Sequence, residues 1–223
     1  MFMYFIIPLA LSFYVSWRFK SKAKKYSEIG LSSHMTGAEI AQQMLNDHGI
    51  YDVKILSAEG QLSDHYNPQN KTVNLSQDVY YGRSVLAAAV AAHECGHAVQ
   101  HAKAYAWLNF RSTIVPIVSV TSGYLQWILL GGVLLINTFP ALLLIGIVLF
   151  SLTTLFSLIT LPVEFDASSR ALAWLDTSGI VRKDEHDLSK DALRWAASTY
   201  VVAAIASIAT LLYYLQIYAG RRD

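Results

Sequence analysis

His93 and His97 stand four residues apart in "VAAHECGHAVQHA", with Glu94 directly after the first of them. On an α-helix this spacing sets both imidazoles on one face, about 6 Å apart along the axis, where they can share one metal ion. Glu94 is then the neighbour able to take a proton from a water beside that ion. The pattern H-E-x-x-H on a helix combines two histidine ligands with a glutamate general base, the chemistry of metal-assisted peptide hydrolysis. A bland alternative is a solvated helix that happens to carry polar residues. The neighbours argue against it: Ala87, Ala88, Ala89, Ala91, Ala92, Gly96 and Ala98 let other elements pack close, as a buried site helix requires. Cys95 lies about 200° around the helix from His93, so its expected role is packing.

A catalytic zinc takes three protein ligands and keeps a fourth position open. His101 is eight residues from His93, roughly 12 Å along a helix, too far to ligate the same ion. Of the remaining histidines, His34, His48 and His186 read as surface residues, and His65 in "SDHYNP" is harder to dismiss. The stronger candidate is Glu164 in "LPVEFDASSRALAWL". Its competing explanation is a helix that starts at Pro162, with Glu164 in the first turn favouring the dipole. On that helix Ser168 shares the face of Glu164, while Asp166 and Arg170 are expected to point elsewhere. The donor for a developing oxyanion stays open between Tyr80, Tyr81 and His101.

These residues need elements to hold them. "TGAE" at Thr36 to Glu39 is a capping box opening a helix striped by Ala41, Met44 and Leu45, with Gly49 as its C-terminal cap. "YDVKILSAE", "QLSDHY" and "KTVNLS" read as short strands, the last two joined by the turn residues of "NPQN". The last strand, just before the motif helix, is expected to offer an unpaired edge to an extended peptide. The alanine-rich stretch from Ser84 to about Ala104 is the motif helix.

Hydrophobic residues make up 54% of the 223, and no Asp, Glu, Lys or Arg falls between Arg111 and Glu164. At about 20 residues per crossing, that gap spans a bilayer twice. Four spans are expected: Phe2 to Trp17, Thr113 to Ile136, Phe139 to Leu161 and Ala196 to Tyr218. The first is followed by "RFKSKAKK", the reverse of a cleavable signal, and so reads as an uncleaved anchor. Those basic residues place its end in the cytoplasm, and Arg221 and Arg222 at the tail are a mild violation. A hairpin between the motif helix and Glu164 returns both to one side of the membrane. The net charge of +1 gives no basic face for nucleic acid, and the single cysteine excludes an internal disulfide.

The expected fold is therefore an α-helical membrane protein, about four transmembrane helices with a small α+β zincin-like cytoplasmic module. Its segments are an anchor (1–19), a module with the motif helix (20–111), a transmembrane hairpin (112–162), a cytoplasmic helix region with the third ligand (163–195) and a final transmembrane helix (196–223).

"HECGHAVQHA", "LSDHYNP", "VYYGRS" and "LPVEFDASSRA" together resemble the YugP-like neutral zinc metallopeptidases of bacterial membranes, over essentially the whole chain. The resemblance implies a zinc peptidase in a bacterial plasma membrane, with His93, Glu94 and His97 in the motif positions and substrates unknown. The order of motif helix, hairpin and glutamate helix is also similar to the HtpX-type membrane proteases. Those carry aspartate four residues after the ligand glutamate, whereas Ser168 stands here.

The expected function is a gluzincin-like endopeptidase with one zinc ion on His93, His97 and Glu164 and Glu94 as general base, acting on peptides or proteins at the bilayer. The alternative is a noncatalytic zinc-binding scaffold, which would have no need of Glu94.

Overall fold

The computed structural model describes residues 3–60 and 63–220. Phe2, Gln61, Leu62, Arg221 and Arg222, which enter the readings of the first span, the second strand and the tail, lie outside the described residues. Among these, the elements in order are α1 (Met3–Ser27), α2 (Gly37–Asp47), β1 (Lys54–Ala58), β2 (His65–Asn67), β3 (Thr72–Ser76), α3 (Gln77–Tyr80), α4 (Val85–Ala102), α5 (Ala106–Leu134), α6 (Pro140–Ser178) and α7 (Lys183–Gly220). They form two compact units, one of Met1–Val15, Asn109–Pro162 and Thr199–Asp223, the other of Ser16–Leu108 and Val163–Ser198.

The first unit is apolar inside and out. Leu125 and Leu129 of α5 pack on Leu143 and Ile147 of α6 in its interior, while Val120, Trp127 and Val148 are exposed, as lipid-facing side chains are. Three helices among the described residues, α5, α6 and α7, are long and apolar enough to cross a membrane. Helix α1 is not among them. Its apolar stretch ends at Arg18 and is followed by four lysines, which leaves roughly 22 Å of described apolar helix from Met3 against a hydrocarbon core of about 30 Å.

The second unit holds a three-stranded sheet in the order β1-β3-β2, with β1 parallel and β2 antiparallel to β3. Strand β3 is therefore central, which corrects the expectation that "KTVNLS" presents a free edge. Its residues alone carry the reason: Val73 and Leu75 are buried, and so are Thr72 and Ser76 on the opposite face, the pattern of a strand covered on both sides. The "NPQN" turn folds β2 against one edge, and β1 takes the other.

Local signals in this unit are met. Thr36 and Glu39 close the capping box in both directions, and Gly49 follows α2 with φ +69°, a left-handed conformation that costs glycine nothing. Ser84 caps α4 by accepting the Ala87 N–H at 3.2 Å.

One boundary differs. Helix α6 runs unbroken through Pro162, so Glu164 lies in a helix interior and the first-turn explanation for it falls. A helix starting with Pro162 at its first position would need Leu161 as N-cap, and leucine offers no side-chain acceptor for the free N–H groups. Continuing the helix at the cost of one backbone hydrogen bond is the better solution here.

Candidate metal centre

Helix α4 carries the motif through the core of the second unit. Ala87, Ala88, Ala91, Ala92, Ala98 and Val99 are buried in one cluster with Ile40, Met44 and Leu45 of α2, Val73 and Leu75 of β3, and Ala171 and Leu175 of α6. Small side chains set the approach of α6. A Cβ on Gly96 would stand 2.5 Å from the Ala167 carbonyl oxygen, a distance only a glycine permits. Cys95 points into this core, its Sγ 3.5 Å from the Ala41 carbonyl oxygen, and burial pushes its thiol pKa up, so it is inert packing.

The close passage of α6 brings Glu164 to the two histidines. Glu164 Oε2 is 3.3 Å from His93 Nε2 and 3.6 Å from His97 Nε2, and one donor atom from each residue falls within 4.8 Å of the others. The imidazole rings meet edge to face, centroids 4.8 Å apart. Tetrahedral donors at about 2.05 Å from a zinc ion stand about 3.4 Å from one another, so these separations and this donor set of two imidazoles and a carboxylate fit a zinc ion. His97 and Glu164 are buried and His93 is partly so. Burial works against a charged His97, but the Glu164 carboxylate outweighs it and holds the imidazole pKa above its usual value.

Both histidines turn their other nitrogen to a neutral partner. His93 Nδ1 lies 3.1 Å from the Ser168 hydroxyl, and His97 Nδ1 lies 3.0 Å from Gln100 Oε1. Ser168, four residues after Glu164, thus touches a candidate ligand. Gln100 is a residue the sequence reading missed, although it follows His97 by three positions, the spacing of one helix face. Its Nε2 donates to the Val163 carbonyl and to Asp166 Oδ2, both at 2.8 Å. Asp166 in turn accepts from Arg170 Nε at 2.6 Å, and the Arg170 guanidinium lies over the Tyr105 ring. Asp166 was expected on the far side of α6; the reach of the Gln100 side chain brings it into contact with α4.

Glu94 is buried beside His93, and its Oε2 accepts the Tyr66 backbone N–H at 3.0 Å. That bond ties the general-base candidate to strand β2. His65, the residue that attracted attention in "SDHYNP", is exposed and bonds locally to the Ser63 carbonyl. The signal belonged to its neighbour. The Tyr66 hydroxyl sits 2.7 Å from His101 Nδ1, and burial, with a smaller contribution from Asp52, pushes the phenol up to about 12, so it stays protonated. His101 keeps away from the three-residue group, as its distance along the helix requires. Tyr80 and Tyr81 meet each other edge to face at 4.8 Å. His48 and His186 bond to the backbone at Met44 and Leu172.

A membrane-associated chain with this donor set has the marks of a metallopeptidase, and comparison with known proteins places it in a family. A family model described as "Putative neutral zinc metallopeptidase" matches residues 1–219, and the chain belongs to that family. It is 44% identical over 218 residues to the "Putative membrane protease YugP" of Bacillus subtilis (strain 168), a match covering 98% of this chain and 96% of the relative. No solved structure matches it significantly.

Proposed function

We propose that this chain is a membrane-embedded, zinc-dependent endopeptidase in which His93, His97 and Glu164 hold one zinc ion and Glu94 is the general base. The observation that carries the reading is the convergence of two Nε2 atoms and a carboxylate oxygen from α4 and α6 with a second carboxylate, Glu94, in the adjoining position of α4, in a chain of that family. Zinc bound there supplies a Lewis acid that polarises a carbonyl and makes water nucleophilic near neutral pH. Glu94 takes the proton of the attacking water and delivers it to the leaving amine nitrogen. The Tyr66 N–H holds the Glu94 carboxylate in place for that transfer. No covalent bond to the chain is formed, and none of the residues around Glu94 is needed as a nucleophile.

The second unit is the zincin-like, gluzincin-type module, and we place it on the cytoplasmic side of a bacterial plasma membrane. Arg18, Lys20, Lys22, Lys24 and Lys25 support that orientation. We count α1 as a fourth span, completed by flanking aromatics such as Phe19, and we retain the segments 1–19, 20–111, 112–162, 163–195 and 196–223 as functional divisions. Substrates are peptides or proteins at the bilayer.

Glu94→Gln tests the reading. The amide keeps the shape and cannot take a proton, so zinc stays bound while hydrolysis of an unstructured protein substrate falls about 100- to 10,000-fold. Full activity in that variant would refute the mechanism, and an inactive wild type across many substrates would favour a noncatalytic zinc scaffold.

A further inference from the structure

Gln100 is a fully buried polar side chain, 0% exposed, on the helix that carries both histidines. Its amide nitrogen has two hydrogens, and both have acceptors: the Val163 carbonyl and the Asp166 carboxylate, each at 2.8 Å. Turning the amide over would set its oxygen against two other oxygens. The orientation is therefore fixed, and Oε1 is left facing His97 Nδ1 at 3.0 Å. An acceptor there requires a proton on Nδ1, which leaves the Nε2 lone pair bare toward Glu164 and the metal position. His93 is not constrained in this way, because the Ser168 hydroxyl can donate or accept.

The same amide reaches α6 on both sides of Glu164, at residues 163 and 166. Asp166 cannot swing away, since Arg170 holds it through Nε at 2.6 Å and a second guanidinium nitrogen at 3.2 Å. One turn earlier on α4, Gly96 admits the α6 backbone at Ala167. Gly96 lets the two helices touch, and Gln100 sets where along their length they do so.

We propose that Gln100 is the positioning residue of the metal centre: its buried amide, oriented by Asp166 and Val163, presents His97 through Nε2 and registers the Glu164 segment of α6 against α4. The proposal rests on the zinc-centre reading above. It distinguishes Gln100 from a residue that only fills space, because the polarity of its hydrogen bonds, not its volume, is what the metal senses.

Two variants separate these roles. Gln100→Met keeps length and bulk but removes all three hydrogen bonds. Asp166→Ala leaves Gln100 and its volume in place and removes one of the two acceptors that orient its amide, at a partly exposed position. Zinc affinity is measured on the full-length chain in detergent, stripped and then titrated against a chromophoric zinc chelator, with thermal unfolding of the zinc-free protein followed in parallel. Gln100→Met should bind zinc about 10- to 100-fold more weakly than wild type, the usual worth of the residue behind a histidine ligand, and Asp166→Ala about 10-fold more weakly. Gln100→Met with wild-type affinity overturns the proposal, as does a folded Asp166→Ala that binds zinc as wild type does. Should Gln100→Met fail to fold, Asp166→Ala decides alone: a tenfold loss in a folded chain supports the proposal, and wild-type affinity overturns it. A wild type that takes up no zinc overturns the zinc-centre reading itself.

Discussion

Replacing Gly96 by alanine drives a methyl group into the backbone of α6. The added Cβ would meet the Ala167 carbonyl oxygen at 2.5 Å, its carbon at 3.1 Å and its Cα at 3.2 Å. Backbone atoms cannot step aside as the end of a flexible side chain can. Restoring an ordinary contact of about 3.4 Å requires the helices to part locally by roughly 0.9 Å. Ala167 follows Glu164 by three residues and immediately precedes Ser168, so the displacement is carried to the ligand carboxylate and to the hydroxyl beside His93 at once. The overpacking costs about 1–3 kcal/mol, of which up to about 1 kcal/mol is offset by the better helix propensity of alanine. The effect on the metal should be of the same order as the effect on folding, because a misplacement near 1 Å typically costs about a hundredfold, roughly 2.7 kcal/mol, in a positioned site. Zinc competition titration should show a 10- to 100-fold loss of affinity, with unfolding shifted by no more than the net cost above. Gly123→Ala on α5 is the control: its Cβ would meet nothing within 4 Å, so it should hold zinc as wild type does. Wild-type affinity and stability in Gly96→Ala would refute the claim that helix contact at this glycine sets the ligand geometry.

Alanine at His93, His97 or Glu164 should each abolish stoichiometric zinc in the purified protein, whereas His101→Ala should retain it; a Glu164→Ala protein with full metal content would remove that residue from the ligand set. Cysteine labelling from outside intact cells should fail at both Lys71 and Asp184, and labelling at either would contradict a cytoplasmic module. The Thr36 backbone N–H, followed by its hydroxyl, holds Glu39 below the usual carboxylate range. The capping contribution to stability is then complete above the ordinary value of 4.5 and lost as pH falls through the depressed one. Glu39→Gln should remove that acid-side dependence from the unfolding curve, and an unchanged dependence would assign it to another group.

What the sequence made legible was local. Two histidines at i and i+4, a capping box, and turn residues between strands each specify geometry within a few residues, and each is found where it was expected. Glu164 was reachable because a hairpin must return to its starting side, which is topology and not packing. The rest depended on contacts between distant segments. Whether β3 was an edge or a centre turned on the burial of Thr72 and Ser76, two polar residues whose partners no periodicity reveals. In "SDHYNP" the composition pointed at a histidine, while the strand register aimed the next residue's N–H at Glu94. Gln100 carried a signal that was passed over: an amide in an alanine-rich helix, three positions after a ligand candidate, has to satisfy its hydrogen bonds somewhere in the core.

The partners of the two histidines also bear on how the proposed centre would work. A carboxylate placed directly on Nδ1 makes an imidazole a stronger donor and lets it draw charge from the metal. Here His93 has a hydroxyl and His97 an amide, and the nearest carboxylate behind them, Asp166, is already engaged by Arg170 at 2.6 Å. Glu164 is then the one anion within the donor set. A dication held by two neutral imidazoles and a single carboxylate keeps more of its charge for whatever occupies the remaining position, and that is the requirement for drawing a proton from water near neutral pH. Glu94, held at the Tyr66 N–H, is the proposed acceptor of that proton. Introducing aspartate at Ser168 would place a charge on His93 Nδ1; it should tighten zinc binding while shifting the acid-side limb of the pH profile, where hydrolysis rises, to higher pH. A pH profile that does not move, in a variant shown to hold zinc, would refute the view that neutral partners tune this site.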